Sequence, residues 1–352
     1  MSTTNNGTGK YGEYKTQTLE NVSSADYRGA PPPKESKIKA HLRKFWWMHL
    51  LSFIIGTILI NIIIVYVAMP SIAQKGIDGA TLDLKSQVVT NPRTGAVHIN
   101  MVTTAENKQV FHPTLDEFKA ALFLENTAPD IKPFGYITIK KLHAGAMETI
   151  TIDQDLEIVD AHQFGLYNIA VLNSETYRVA VRGKTNLHLG AFPAVKVNFN
   201  KVITSKGLNK LKGFQVRDVK ISLAPEADGT NMHGTVYIPN PSPMSIQMGT
   251  VVQDIYVGAK KIGVTTIPDL TLKPGDNFIP MKTVSDQAVV IGLVSTQYKD
   301  GKLPVTIRGN SSTSLQGQKL DYFTAALRSN DMKTTLDLKE PLKAIGLDIS
   351  AL

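Results

Sequence analysis

The chain has 352 residues, no cysteine and a formal net charge of +8 at pH 7. The missing cysteines exclude a small disulfide scaffold and a thiolate metal site. Residues 1–45 hold 8 basic and 4 acidic side chains, so half of the excess charge lies in an N-terminal tail, and we expect no nucleic-acid partner.

The N-terminal segment 1–44 is predicted to be a disordered tail. It is rich in Thr, Asn, Gly, Ser and Lys and has three prolines at positions 31–33. Such a composition cannot bury enough apolar surface to order itself.

The next segment, 45–70, is predicted to be a transmembrane helix, with a buried core helix as the alternative. Thirty consecutive positions, 45–74, carry no Lys, Arg, Asp or Glu. A helix of 24 residues, from Trp46 to Met69, extends roughly 36 Å and exceeds a hydrocarbon core of about 30 Å. Pro70 is the expected end of the span.

The span carries a small-x3-small pair and polar atoms that suit contact with another helix. The residues are Ser52, Gly56, Thr57 and Asn61. One hypothesis is a homo-oligomer that forms through the span. The alternative is that the helix is alone in the membrane and that these small residues are only tolerated there.

Beyond the span, apolar and polar residues alternate, which predicts strands. They are expected at 82–88, 97–101, 118–124, 136–139, 149–152, 177–181, 187–189 and 195–199. One helix is predicted from Asp160 to Leu172, with Asp160 as its N-cap. The fold class is therefore all-β, with two tandem antiparallel β-sandwiches at 76–199 and 200–330. Segment 331–352 is either a C-terminal strand or a truncated third module.

An internal repeat supports two modules. At an offset of 126, Val179-x-Val181-Arg182-Gly183 matches Val305-x-Ile307-Arg308-Gly309, and Asp160 matches Asp286. The pentapeptide TLDLK occurs at residues 81–85 and again at 335–339. Collinear matches at nearly one offset predict a repeated unit of about 126 residues.

The second module resembles the late-embryogenesis-abundant type 2 (WHy-like) domain. The resemblance rests on residues 236–249, which include Asn240-Pro241, and on 257–263, Ile267-Pro268 and 272–275. It covers about 70 residues. The first module departs from it, because His112-Pro113 stands where the Asn-Pro is expected.

The whole arrangement resembles a fungal family of single-span, type II vacuolar-membrane proteins with tandem immunoglobulin-like lumenal modules. Residues 192–193 and 206–213 resemble the segment that joins successive modules there. The resemblance implies a non-enzymatic role in ending autophagy and adjusting the proton-pumping ATPase. Plant plasma-membrane stress proteins have a similar plan, so that membrane is the alternative location.

The sequence predicts no catalytic residues, no cofactor and no metal site, because its eight histidines are scattered without ligand spacing. One sequon on the expected lumenal side makes Asn310 a candidate glycosylation site.

A basic run forms a candidate patch for an anionic lipid or partner, with a solvated surface as the alternative. The run consists of Lys196, Lys201, Lys206, Lys210, Lys212, Arg217 and Lys220, and the candidate patch is Lys201, Lys206, Lys210 and Lys212.

Two functional hypotheses follow. The first is a regulatory membrane protein whose lumenal sandwiches contact other proteins, with proton-pump subunits as candidate partners. The second is a lipid-binding or lipid-transfer module. A large apolar cavity inside a sandwich would favour the lipid hypothesis, and filled cores with an exposed patch would favour docking.

The orientation gives the first testable prediction. Six basic residues lie between positions 26 and 45, against two in the twenty positions after Met69, so the positive-inside rule places the N-terminus in the cytosol. Protease added to intact organelles should clip the tail and leave the chain after residue 71 shielded. A shielded tail would reverse the orientation.

Overall fold

A computed structural model of the protein describes residues 37–107 and 112–348. Most of the predicted disordered tail therefore lies outside the described residues. Its last part, residues 37–44, is helical and forms the beginning of the apolar helix. The chain divides into two compact units, residues 1–59 and 60–352.

The apolar helix is longer than predicted. Helix α1 (Lys37–Ile63) continues through a π-helical turn (Ile64–Ala68) into α2 (Met69–Gly79). The stretch His41–Gly79 contains a window long and apolar enough to cross a membrane.

The expected end of the helix at Pro70 is wrong. Pro70 lies in the first turn of α2, where a missing N–H is tolerated. Just before it, the Met69 N–H bonds to the Ile64 carbonyl, five residues back. This wider spacing changes the hydrogen-bond register ahead of the proline, so the helix continues past it.

The remaining described residues form sixteen strands and four helices. The strands are β1 (Thr81–Arg93), β2 (Ala96–Glu106), β3 (Thr114–Leu115), β4 (Phe118–Leu124), β5 (Gly135–Ile139), β6 (Leu142–His143), β7 (Met147–Glu157), β8 (Thr176–His188), β9 (Val195–Lys206), β10 (Gln215–Ile221), β11 (Met232–Asn240), β12 (Met244–Val257), β13 (Lys260–Leu272), β14 (Gly275–Ser285), β15 (Lys302–Thr313) and β16 (Met332–Asp337). The helices are α3 (Ala161–Asn173), α4 (Gln287–Thr296), α5 (Asp321–Arg328) and α6 (Lys339–Ala344).

The first half of the strand region is an antiparallel sandwich. One sheet has the order β1-β2-β7 and the other β5-β4-β8-β9, with β3 and β6 added beside β8. The alternating positions Val97, Ile99 and Met101 are buried, whereas their neighbours are partly exposed. This is the period-two pattern of a sheet with one face on the core.

The second half repeats these strand pairings, and in addition β13 pairs with β14, so its two sheets are continuous along one side. Strands β10-β11-β14 correspond to β1-β2-β7, and β13-β12-β15-β16 correspond to β5-β4-β8-β9. Helices α3 and α4 begin 126 residues apart, and the N-cap carboxylates of Asp160 and Asp286 accept from the Gln163 and Val289 N–H groups. The predicted fold class, all-β sandwiches after one apolar helix, is confirmed.

The two halves share one hydrophobic core. Strand β1 pairs in parallel with the first residues of β12, which joins the sheets edge to edge. Helix α5, which has no counterpart in the first half, packs on α3. At this contact the Phe164 and Tyr322 rings lie 4.9 Å apart edge to face, and the Tyr322 hydroxyl donates to the Arg93 carbonyl at 2.8 Å.

The junction loop also belongs to this core. Leu208 and Leu211 are 2% and 5% exposed. The N–H groups of Gly207, Leu208 and Asn209 donate to the Glu175, Val171 and Ser174 carbonyls, around the C-terminus of α3. Residues 209–211 all have positive φ, a conformation that costs energy and persists only when the surroundings impose it.

The predicted domain limits can be placed on these elements. The limit at 199/200 falls inside β9, and the repeat strand at 335–339 lies largely in β16, which pairs with β15 in the second sandwich.

A buried charge in the junction loop should destabilise the whole body. We expect Leu208→Asp to cost about 3–5 kcal/mol, the scale of an uncompensated buried charge. Lys212→Ala, which changes an exposed neighbour, should stay within about 0.5 kcal/mol. Denaturant unfolding of the full chain in detergent measures both. Equal changes in the free energy of unfolding for the two variants would mean that the loop is not part of the core.

Candidate functional site

Helix α2 is attached to the first sandwich by two polar contacts. The Gln74 side chain donates to the Asn198 carbonyl and accepts from the Asn198 N–H, both at 2.9 Å. The Lys201 ammonium donates to the Asp78 and Ala80 carbonyls at the C-terminal end of α2. Gln74 therefore pairs with the β9 backbone as a neighbouring strand would, and Lys201 caps the helix. We call these contacts the α2 seam.

Lys201 is therefore not part of an exposed basic patch. It is 7% exposed, and this burial lowers its pKa, although the nearby Asp78 carboxylate opposes the shift. Lys206, Lys210 and Lys212 remain exposed. The alternation of β9 sends Lys201 inward, which a count of charges along the sequence does not reveal.

An apolar cavity of ≈ 70 Å³ lies between α2 and the adjacent end of the first sandwich. Met69, Ala73 and Ile77 line it from the helix, and Leu142 and Leu187 line it from the sandwich. The side chains of Lys201, Asn107 and Glu148 are also among its walls.

The sandwich interiors themselves hold smaller voids. The void within the first core measures ≈ 50 Å³ and the one within the second ≈ 20 Å³. An engineered cavity that accepts benzene has a volume of about 150 Å³. Neither core therefore has room for an acyl chain, and both are packed.

An exposed cluster of aromatic rings and one arginine lies on the outer face of β10, β11 and β14. The Arg217 guanidinium carbon lies 4.5 Å from the Tyr237 ring centroid and 5.7 Å from that of Phe278. Phe278 is 59% exposed. The Tyr237 hydroxyl donates to Asp276 at 2.9 Å, and this hydrogen bond raises the pKa of Tyr237. We call this surface the Arg217 face.

The corresponding face of the first sandwich is polar. His98 lies 2.9 Å from a carboxylate oxygen of Asp153 and, through its other ring nitrogen, 2.9 Å from one of Asp155. Arg93 pairs with Asp155 at 2.6 Å. The hydrogen bond to Asp155 raises the pKa of His98, against a smaller effect of desolvation.

The candidate span residues keep their predicted positions on the helix. Trp46, Ser52, Gly56, Thr57 and Asn61 lie on α1, and the Thr57 hydroxyl donates to the Phe53 carbonyl one turn back. Met69 and Pro70 lie in α2, so both belong to the segment that contacts the sandwich rather than to the end of a helix.

The candidate glycosylation residue Asn310 lies within β15 and is half-buried. Its amide donates to both carboxylate oxygens of Asp254 at 3.2 Å, and the Ser312 hydroxyl of the sequon is buried against the Met248 carbonyl. Burial opposes ionisation, but hydrogen bonds from Lys261 and Asn310 hold the pKa of Asp254 below its usual value. A glycan on Asn310 would displace this contact.

The Asn-Pro motif of the family resemblance forms a turn. The Asn240 amide donates to the Met244 carbonyl, and its oxygen accepts from the Ser242 N–H and hydroxyl. Asn240 is 2% exposed. It joins β11 to β12 and does not face a ligand.

Sequence reasoning missed Gln74, Tyr237 and Phe278. Arg217 stood in the basic run, but its aromatic neighbours come from strands that are distant in sequence. Tyr237 and Phe278 are direct cross-strand partners in the β11–β14 register. Aromatic residues at outward positions of two strands were the available signal.

Among known protein families, one family model matches part of the chain. Residues 132–255 match DUF3712, described as a protein of unknown function. The matched segment runs across the junction between the two sandwiches. No curated protein sequence matches the chain.

Similar solved structures are distant. Red sea bream transglutaminase is 12% identical with a TM-score of 0.25, over 74% of this chain and 31% of that one. An adhesin from Mobiluncus mulieris is 9% identical with a TM-score of 0.19, over 71% of this chain and 83% of the adhesin chain. The periplasmic chaperone SfaE is 12% identical with a TM-score of 0.16, over 59% and 93%. These scores are too low to support an argument about this chain.

The His98 cluster gives a pH-dependent prediction. Because the folded state raises the pKa of His98, its pairing stabilises the protein fully below the unfolded value of about 6.5 and is lost as the pH rises through the raised value. His98→Gln should therefore lower the melting temperature more at pH 5 than at pH 8. The shift should be no more than a few degrees, because the side chains are exposed. An equal decrease in melting temperature at pH 5 and at pH 8 would contradict the assignment of this pH dependence to His98.

Proposed function

We propose that this chain is a non-enzymatic, single-pass membrane protein that acts through protein contacts made by its two sandwiches. In this proposal the N-terminus faces the cytosol and the sandwiches lie in a lumen, most simply that of the vacuole. Subunits of a proton-pumping ATPase are the first candidate partners, and control of acidification or of autophagy is the corresponding role.

One observation carries the proposal: the sandwiches form a single body that the α2 seam attaches to the helix entering the candidate span. Packed cores leave the outer faces and loops as the surfaces available for binding. Because Gln74 and Lys201 hold the body to α2, no flexible linker separates the sandwiches from this helix, which lowers the entropic cost of ordering them when a partner docks.

The α2 seam gives the test. Gln74→Ala combined with Lys201→Met should free the body from α2 without altering its outer faces. We expect pump subunits to co-purify with the wild-type chain from solubilised vacuolar membranes, and at least tenfold less with the double variant. Lys75→Ala, on the exposed side of α2, is the matched control. Imaging of the tagged chain at a membrane without the pump, or no co-purification, would contradict the proposal.

A second candidate function is the binding of a lipid acyl chain, and the cavity beneath α2 favours it. This cavity is apolar and larger than the voids inside the sandwiches. At ≈ 70 Å³ it is still below the size of about 150 Å³ that accepts benzene, so lipid binding requires α2 to move away from the sandwich. The cavity also adjoins a helix whose preceding turns, including Ile63 and Val67, are exposed and apolar.

Photocrosslinking separates this candidate from docking. The full chain is reconstituted with phosphatidylcholine that carries a diazirine on one acyl chain. If the cavity binds lipid, adducts should form on Leu142 and Leu187 as well as on the span. The adducts on Leu142 and Leu187 should be lost in Ala73→Phe, because the phenylalanine fills the cavity. Ser71→Phe, on the exposed side of α2, should keep them. Adducts confined to the span would contradict lipid binding.

A further inference from the structure

The Arg217 face has a composition that interface hot spots favour. Tyr and Arg are enriched among the residues that contribute most to binding free energy. Here an arginine and two aromatic rings come from three neighbouring strands, with Tyr237 opposite both Gln215 and Phe278 in the strand registers. The geometry is therefore set by the sheet before any partner arrives.

Arg217 has no acidic partner among the described residues. Its Nε and Nη2 donate to the Gln215 side-chain oxygen at 2.9 and 2.7 Å. Two other exposed arginines stack on rings. Arg308, over Tyr256, pairs with Asp331 at 3.1 Å. Arg182 lies over Phe123, which is buried and offers a partner no exposed aromatic surface. Arg217 thus holds a full positive charge in a fixed position, and a neutral amide oxygen, not a carboxylate, accepts from its Nε and Nη2 groups.

The apolar part of the face extends along β14. Outward positions Phe278, Pro280 and Val284 are exposed, and Phe278 and Val284 are 59% and 47% exposed. Lys282 interrupts this series and pairs with Glu226 and Asp228. The equivalent face of the first sandwich carries Asp153 and Asp155 instead, and Arg93 and His98 pair with them. The sandwich fold therefore does not require an exposed aromatic face with an unpaired cation.

The edge of this sheet is unsuited to adding a strand. β10 is the edge strand, and its pairing with β11 shifts register between Arg217 and Lys220. Asp218 lies in this bulge with a φ of 52°. Bulges of this kind disrupt the ladder and hinder pairing with another chain. A partner would therefore bind the side chains of the face rather than the backbone of the edge.

We propose that the Arg217 face docks a protein segment that presents an acidic side chain next to apolar ones. The carboxylate pairs with the Arg217 guanidinium, and the apolar side chains cover Phe278 and Tyr237. This inference rests on the proposed docking function and names its surface and the chemistry of its partner.

A peptide selection tests the chemistry directly. Phage-displayed random twelve-residue peptides are selected on the full chain in nanodiscs, in parallel with Arg217→Glu, Phe278→Ala and the matched control Arg182→Ala. Arg182 is an exposed arginine stacked on Phe123 in the first sandwich. We expect the wild type and the control to enrich peptides with Asp or Glu beside Leu, Phe or Trp. Arg217→Glu should enrich Lys or Arg instead.

The selected acidic peptide should bind Arg217→Glu and Phe278→Ala at least tenfold more weakly, by fluorescence anisotropy. Unchanged thermal unfolding of both variants shows that the fold is intact. No enriched peptide, or the same peptides on the wild type and Arg217→Glu, would overturn the inference. If the pump subunits still co-purify with Arg217→Glu, the docking function stands and only its assignment to this face fails.

Discussion

The packing of α5 on α3 is the interaction on which the rest of this structure depends. Each sandwich repeats the same pairing, but α5 occurs only in the second, and it covers the helix of the first. Its Tyr322 is buried against Phe164 and bonded to the Arg93 carbonyl. Gly309 makes the approach of α5 to β15 feasible, because a Cβ there would lie 2.5 Å from the Leu327 backbone. Two modules that could have been separate are thereby one body.

The joining of the two sandwiches also fixes the relative positions of their exposed surfaces. Joined sandwiches hold the Arg217 face and the α2 seam at fixed positions within one body, whereas a flexible junction would let them move independently. The three positive-φ residues of the junction loop are consistent with a connection imposed by packing. Polar contacts from Gln74 and Lys201 then extend the same rigidity to α2. Function in this account comes from the presentation of surfaces, and no buried reaction centre is needed.

Local patterns predicted the elements well, whereas tertiary contacts decided the site. Alternation identified the strands of the first sandwich, and Asp160 with Gln163 predicted the α3 cap, because these signals lie within a few residues of one another. The continuation of the helix through Pro70 was missed because a π-helical turn compensates for the proline. Lys201 was included in the basic patch because charges were counted along the sequence, whereas the alternation of β9 places it on the buried face with Phe199 and Ile203. The Arg217 face joins Arg217, Tyr237 and Phe278, which are separated by 20 and 41 positions, so no local motif records it.

The central claim, that both sandwiches form one rigid body, is tested most directly by a distance measurement. The chain has no cysteine, so spin labels can be attached at Thr151→Cys on β7 and Lys333→Cys on β16, both exposed and in different halves. Double electron–electron resonance on the full chain in nanodiscs should give a single narrow distance distribution. A broad or multiple distribution would show that the halves move relative to each other and would contradict the account.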